Sequence, residues 1–441
     1  MRKVKVFTIV SALFKLLFRV AVKFKRVIIP LTPKNSRRLL KEKVLRLASQ
    51  LKPTQDNKKI FLNEYESDGV NLIGYARMET GIGESCRIAA RSLSSVGIPI
   101  GIINYEGTNR ARMADYSWEH MEIKNPIYPI NIFHINAEQM IEVHANYGNQ
   151  MFDNKYNIGY WHWELPEFPD EWQGSFKFVN EVWVPSTFVA NSISMNSPVP
   201  VVKIPHGVEV NITNHRDRAY FNLPKGVFLF LSMYDIKSYQ ERKNPLASIK
   251  AFKQAFGPID KSVGLVIKVN NAKSDVEEVK SLRRFISDYS NIYLITEVLS
   301  RNDTNSLIQT TNSFISLHRS EGFGLGLAEA MYLGKPTIGT NWSANTDFMD
   351  NQNSCLVDYE LIQVGKDYGP YKANQYWADP DIEHASTFMK RLVSDAEYYH
   401  QTSSAGELSI KRDYSPTVVG ELIKKRLHYI RHNHGGKDDN Y

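Results

Sequence analysis

Short apolar runs, many of them rich in β-branched residues, recur along this chain and alternate with segments of helical spacing. In the first half they are Val70–Tyr75, Ile98–Asn104, Ile130–His134, Asn157–Trp161, Glu181–Pro185 and Val201–Ile204. In the second half they are Val227–Ser232, Val263–Val269, Ile292–Ile295, Phe314–Leu317, Thr337–Gly339 and Cys355–Val357. Alternation of this kind predicts parallel sheets covered by helices on both faces. Between the two series Ile204-Pro-His-Gly-Val208 breaks the periodicity, and a polar segment, Asn211–Asp217, follows. The chain therefore divides into two α/β domains, 59–210 and 211–431, the second closing on polar helices from Ile382 onward. Residues 432–441 read as a disordered tail.

Chemistry concentrates between Phe314 and Met349, FISLHRSEGFGLGLAEAMYLGKPTIGTNWSANTDFM. Its pattern is strand, glycine-punctuated turn, helix, strand. A glycine-rich loop lets backbone N–H groups approach a phosphate, and the following helix aims the positive end of its dipole at the same point. Glu321 in the loop and Glu329 in the helix bracket this anion cradle. A carboxylate at Glu329 is placed to accept hydrogen bonds from a ribose diol, and Glu321 to meet what lies beyond the phosphates. In the first domain, strand Val70–Tyr75 likewise leads through Gly81-Ile-Gly83-Glu84 into a helix from Ser85 to about Val96. The dinucleotide pattern G-x-G-x-x-G is incomplete there, because Cys86 stands at its last position.

The run Glu321 to Glu329, with His318-Arg-Ser before it and Gly334-Lys-Pro after it, resembles the E-x7-E signature of retaining glycosyltransferases of the GT4 family. The resemblance implies the GT-B fold: two Rossmann-like domains facing across a cleft, the first for acceptor and the second for a nucleotide-sugar donor. It implies that Glu329 holds the ribose, that Gly322, Phe323, Gly324 and Leu325 offer the loop backbone to sugar and diphosphate, and that Glu321 orients the sugar. Gly81 and Gly83, with Glu84 and Arg87, resemble the family's N-terminal glycine loop, which faces the donor phosphates from the other wall. After strand Val227–Ser232, adjacent cations Arg242 and Lys243 are suited to neutralising a diphosphate at a strand end. Lys243 matches the family's lysine, Ser238 stands where its arginine is usual, and Arg242 or Lys268 is the replacement. His134-Ile-Asn136 resembles the family's H-x-H with the second histidine missing, leaving His134 as an acceptor-side candidate or a structural histidine. Tyr160-Trp-His-Trp-Glu164-Leu-Pro-Glu-Phe-Pro resembles a W-x-W-E-L-x-x-F-P block of polysaccharide enzymes. His162 and Glu164 are then acceptor-binding candidates, and the tryptophans either sugar platforms or core.

Charge redraws the picture at one end. Residues 1–50 carry fourteen Lys or Arg against one Glu, so the rest of the chain has a net −6 against the overall +7. An acidic body argues against nucleic acid as substrate. Within the tail and linker, 1–58, Lys15, Arg19, Lys23 and Arg26 recur at helical intervals among Leu and Phe, a pattern too charged to span a bilayer. A basic amphipathic helix over residues 1–30 predicts docking on an anionic membrane surface, hence a cytoplasmic protein peripheral to the inner face of the plasma membrane. Two cysteines, Cys86 and Cys355, give no disulfide framework and read as buried hydrophobes. The only D-x-D, Asp379-Pro-Asp381, reads as a solvated turn, so no metal ligand and no cofactor beyond the nucleotide-sugar co-substrate are expected. The rival readings are a sugar-nucleotide epimerase or phosphorylase on the same fold, and an inactive carbohydrate-binding partner.

Overall fold

The structure is a computed structural model describing residues 68–107 and 112–434. The amphipathic tail expected over 1–58 and most of the expected C-terminal tail lie outside the described residues. The first domain runs β1 (Val70–Gly74), α1 (Gly81–Ser95), β2 (Ile100–Asn104), β3 (Ile130–His134), α2 (Ala137–Tyr147), β4 (Tyr156–Tyr160), β5 (Glu181–Val184), α3 (Thr187–Ser194) and β6 (Val201–Lys203). The second opens with β7 (Phe228–Asp235), α4 (Gln240–Lys243), α5 (Pro245–Ala255), β8 (Val263–Asn270), α6 (Val276–Ile286) and β9 (Ile292–Ile295). It continues with α7 (Arg301–Thr310), β10 (Ser313–Ser316), α8 (Leu325–Tyr332), β11 (Thr337–Thr340) and β12 (Cys355–Val357). A hairpin, β13 (Tyr359–Gln363) and β14 (Tyr376–Pro380), then leads to α9 (Ile382–Ser394), α10 (Ala396–Asp413) and α11 (Pro416–His434).

Each domain holds a six-stranded sheet, ordered β2-β1-β3-β4-β5-β6 and β12-β11-β10-β7-β8-β9. Strand pairs in both are parallel. Central strands are buried on both faces, as in β1, which explains their near-continuous apolar sequence. In doubly wound sheets the ligand crevice lies outside the carboxyl ends of the strands where the order reverses. That point falls between β1 and β3 in the first domain and between β7 and β10 in the second. The carboxyl ends of these four strands and the segments that follow them carry Gly81 and Gly83, His134, Arg242 and Lys243, and Glu321.

Two features of the chain's last third are not legible from chain order or a short motif. The helix α11 follows the second domain in the chain but packs on the first: Val419, Ile423, Leu427 and Ile430 share a core with Val70, Leu72 and Leu93. Arg426 pairs with the buried Glu181 and Arg431 lies 3.5 Å from Asp68, fixing the helix to the first domain. An apolar helical face does not state which domain it will bury against, so chain order alone does not show this return. Asp379-Pro-Asp381 is likewise not a solvated turn. Asp379 belongs to β14 and binds Arg319 at 2.7 Å, while Asp381 caps α9 by accepting from the His384 N–H. Both cysteines are buried and free, and burial pushes both thiols up to about 12.

Candidate active site

On the second-domain wall, β7 ends in a sharp turn through Tyr239, with φ of 63°, before the short helix α4 presents Arg242 and Lys243. Glu321 leaves β10 directly opposite. The Lys243 ammonium donates to Glu321 Oε1, and Arg242 Nη1 lies 3.4 Å from Oε2. Arg242 is buried and also donates to the Ser320 carbonyl at 2.8 Å. Burial alone would raise the Glu321 carboxyl, but Lys243, then Arg242 and His318, outweigh it and hold it at about 2. The carboxylate is therefore ionised throughout the physiological range. Its own N–H donates to Ser343 Oγ at 2.9 Å, which fixes the loop.

Glu329 lies in α8, fully enclosed, and is bound by the Arg301 guanidinium at the start of α7. Burial, only partly offset by Arg301, raises its carboxyl above the ordinary value. Arg301 also feels Glu84 from the first-domain glycine loop, so this second ionic cluster reaches across the cleft. Lys268, expected among the donor cations, lies buried on β8 with its ammonium donating to the Val269 carbonyl at 3.0 Å and Asn270 Oδ1 at 2.8 Å. Burial pulls it down to about 8.

On the first-domain wall, Gly83 is forced by packing: a Cβ there would collide with the Met78 carbonyl oxygen, whereas one at Gly81 would meet open space. Arg87 buttresses this loop by donating to the carbonyls of Ala76 at 2.7 Å and Met78 at 2.9 Å, and pairs with Glu84 at 2.7 Å. Beside it lies a histidine cluster. His134 Nδ1 is 3.2 Å from Ser85 Oγ and its ring stacks on Tyr160 at 4.6 Å. His162 Nε2 is 3.1 Å from His206 Nε2, and the His206 ring meets Phe323 of the second domain edge-on at 4.9 Å. Burial lowers His134 to about 3, His162 to about 4 and His206 well below its usual value, so the cluster is neutral.

Trp161 and Trp163 are fully buried and pack on Phe168, Trp172 and Phe176, so they are core and offer no sugar platform. His162 and Glu164 of the same stretch do reach the cleft, where Ser320 Oγ donates to the Glu164 carbonyl and Tyr371 donates to its carboxylate at 3.0 Å. Ser186 Oγ donates to the Gly322 carbonyl at 3.0 Å, so the two walls touch around the loop that follows Glu321. Arg301, His206 and Tyr371 were not singled out by sequence motifs. The one local signal was Ser300, a residue type suited to an N-cap, which caps α7 and so fixes where Arg301 projects. Among the described residues no three His, Cys, Asp or Glu side chains are grouped to hold a metal ion, and no helix is long and apolar enough to cross a membrane.

The model of the family described as glycosyl transferases group 1 matches residues 216–408. No curated protein sequence matches the chain. Among solved structures it is similar to Anabaena Alr3699/HepE in complex with UDP and glucose, at 11% identity and TM-score 0.59 over 82% of this chain and 99% of that one. It is similar to sucrose-phosphate synthase of Thermosynechococcus elongatus at 12% identity and TM-score 0.60, over 83% and 99% of the two chains. A glycosyltransferase of Rickettsia africae aligns at 14% identity and TM-score 0.61, over 84% and 100%. The chain thus has the two-domain GT-B fold, and the part of it that the glycosyl transferases group 1 model matches is the second domain.

Proposed function

We propose that the protein is a retaining, metal-independent glycosyltransferase of the GT4 type, moving a sugar from a nucleoside-diphosphate sugar to a glycan or lipid-linked glycan in cell-surface polysaccharide synthesis. The observation that carries this is the ion triplet Lys243–Glu321–Arg242 at the switch point of the second sheet, with Glu329 in the adjoining helix. UDP and glucose in the HepE structure of the same fold support the donor class. Glu329 exchanges Arg301 for the ribose hydroxyls on donor binding. The loop Gly322 to Leu325 meets sugar and diphosphate, and Glu321, kept anionic, accepts from sugar hydroxyls. Lys243 and Arg242 offset the charge that grows on the departing phosphate. The acceptor oxygen bonds to the anomeric carbon as the bond to phosphate breaks, and the departing phosphate takes the acceptor proton. His134, His162 and Glu164 face the acceptor.

A thermal-shift screen against UDP, GDP, ADP and dTDP tests the donor class, since ligand at about a thousand times Kd adds about 4 kcal/mol of stability. One responding nucleotide is expected, with the response lost in Glu329→Ala. An inverted anomer in the product would overturn retention. The basic stretch 1–30 is proposed to dock the enzyme on anionic membrane at the inner face of the plasma membrane. Equal flotation with anionic liposomes after its removal would overturn that part.

A further inference from the structure

The hairpin β13–β14 belongs by chain to the second domain, and the arc that joins its strands packs into the first. Val364, Tyr371 and Trp377 lie in one apolar core with Trp163, Leu165 and Trp172. At the base of the hairpin, Asp379 holds Arg319, whose Nη1 donates to the Glu241 carbonyl at 2.8 Å and whose N–H donates to the Arg242 carbonyl at 2.8 Å. The hairpin is therefore tied to the backbone of α4, the turn that carries both leaving-group cations.

Its arc also reaches the side chains. Tyr371 is buried, its ring lies 5.8 Å from the Arg242 guanidinium carbon, and it meets Tyr239 edge-on at 5.4 Å. Tyr239 holds the positive φ that starts α4, a conformation that persists only when the surroundings impose it. Gly369 makes room for the Tyr239 ring, since a Cβ there would collide with the Tyr239 hydroxyl. Finally, the Tyr371 hydroxyl donates to Glu164 Oε2 at 3.0 Å, and Glu164 belongs to the other domain.

From this juxtaposition we infer that Tyr371 is a positioning residue: it joins Glu164 of the first domain to Arg242 of the second, so that the leaving-group cations are set only when the cleft is shut. The inference rests on the reading of Arg242 and Lys243 given above. Burial keeps the Tyr371 hydroxyl protonated, so it acts as a donor. Opening the cleft removes its acceptor and takes the Glu164 charge away from Arg242.

The test uses the full chain carrying Tyr371→Phe, which keeps the ring and deletes the hydroxyl, and Leu361→Ser on an exposed hairpin position as control. Release of nucleoside diphosphate from the donor and the affinity for the diphosphate alone are measured together. A hydrogen bond to a charged group accounts for a factor of about ten or more. We expect kcat to fall by about that factor in Tyr371→Phe, with diphosphate affinity and melting temperature unchanged, and the control to match the wild type. Glu164→Gln combined with Tyr371→Phe should be no worse than the worse single variant. An unchanged kcat, or losses that multiply in the double variant, overturns the inference. A wild type that releases no diphosphate from any donor overturns the functional reading instead. The inference is then decided by solution scattering, where Tyr371→Phe should show a larger radius of gyration than the wild type and an equal radius overturns it.

Discussion

The first-domain wall of the cleft presents Tyr160, His134, His162 and His206, stacked on one another and neutral, with His162 half-buried and the rest buried. The second-domain wall presents Lys243, Arg242, Glu321, Arg301 and Glu329, every one of them in an ion pair. Both walls are built at the same place in the same kind of sheet, so topology does not set the difference. What differs is the charge each loop encloses: histidine can enter a dry site by giving up its proton, whereas Glu321 enters one only with cations beside it. A neutral aromatic wall suits a sugar acceptor, and a charged one suits a diphosphate.

The contrast is broken most severely on the charged side. Lys243→Ala removes the ammonium proposed to meet the leaving group, and losing one such fixed donor costs about a hundred- to a thousandfold in kcat. A loss of that size is expected, with diphosphate affinity reduced less than kcat. Turnover within a few-fold of wild type would move the leaving-group role away from this wall. Next comes Glu329→Ala, which deletes a carboxylate proposed to take two ribose hydrogen bonds. Hydrogen bonds to charged groups contribute about 1.5–3 kcal/mol. Calorimetry should therefore show nucleoside diphosphate binding weakened by a factor of about ten to a hundred, and unaltered binding would remove Glu329 from the donor site.

Much of the charged wall was legible in the sequence because it is local. Glu321 and Glu329 lie within one loop and helix, Arg242 and Lys243 are adjacent, and every strand of the two main sheets was marked by its own apolar run. The parts that were not legible act over distance. Arg301 meets Glu329 across 28 positions, His206 meets His162 across 44, and Tyr371 meets Glu164 across 207. Asp379-Pro-Asp381 has the sequence appearance of a turn because β13 and β14 pair only with each other, and Asp379 finds Arg319 60 positions earlier. Tryptophans in a cleft-side stretch have the same sequence appearance whether they face sugar or core. Here Trp161 and Trp163 turn inward while His162 and Glu164, alternating with them, turn to the cleft.

Acid separates the two walls by a smaller, graded effect. His162 and His134 titrate at about 4 and about 3 in the folded protein, below the ordinary 6.5. The unfolded chain therefore binds more protons, and stability present above about pH 6.5 is lost as pH falls toward those folded values. Each such histidine contributes about 1.4 kcal/mol per pH unit in that window. Glu321 has the same sign in a lower window: its contribution is present above about 4.5 and is lost only as pH falls toward about 2. Melting temperature should thus drop between pH 6.5 and 5 as the buried histidines take up protons, with His318 of the second-domain wall adding in the same sense, and His162→Gln should reduce the slope. A melting temperature flat over that interval would mean that the histidines are not held neutral.

The smallest effect sharpens the boundary of the charged wall. Lys268 has the same charge as Lys243 and leaves the strand beside β7, yet its ammonium already donates to the Val269 carbonyl and to Asn270. An ammonium satisfied by its own strand end, and pulled by burial to about 8, is poorly placed to follow charge onto a leaving phosphate. Lys268→Met keeps the apolar stem and removes the charge, so kcat should change by no more than a few-fold while any loss appears in thermal stability. If kcat instead fell as far as in Lys243→Ala, the ammonium would have to leave Val269 and Asn270 during turnover. The charged wall would then include β8 as well as the loops after β7 and β10.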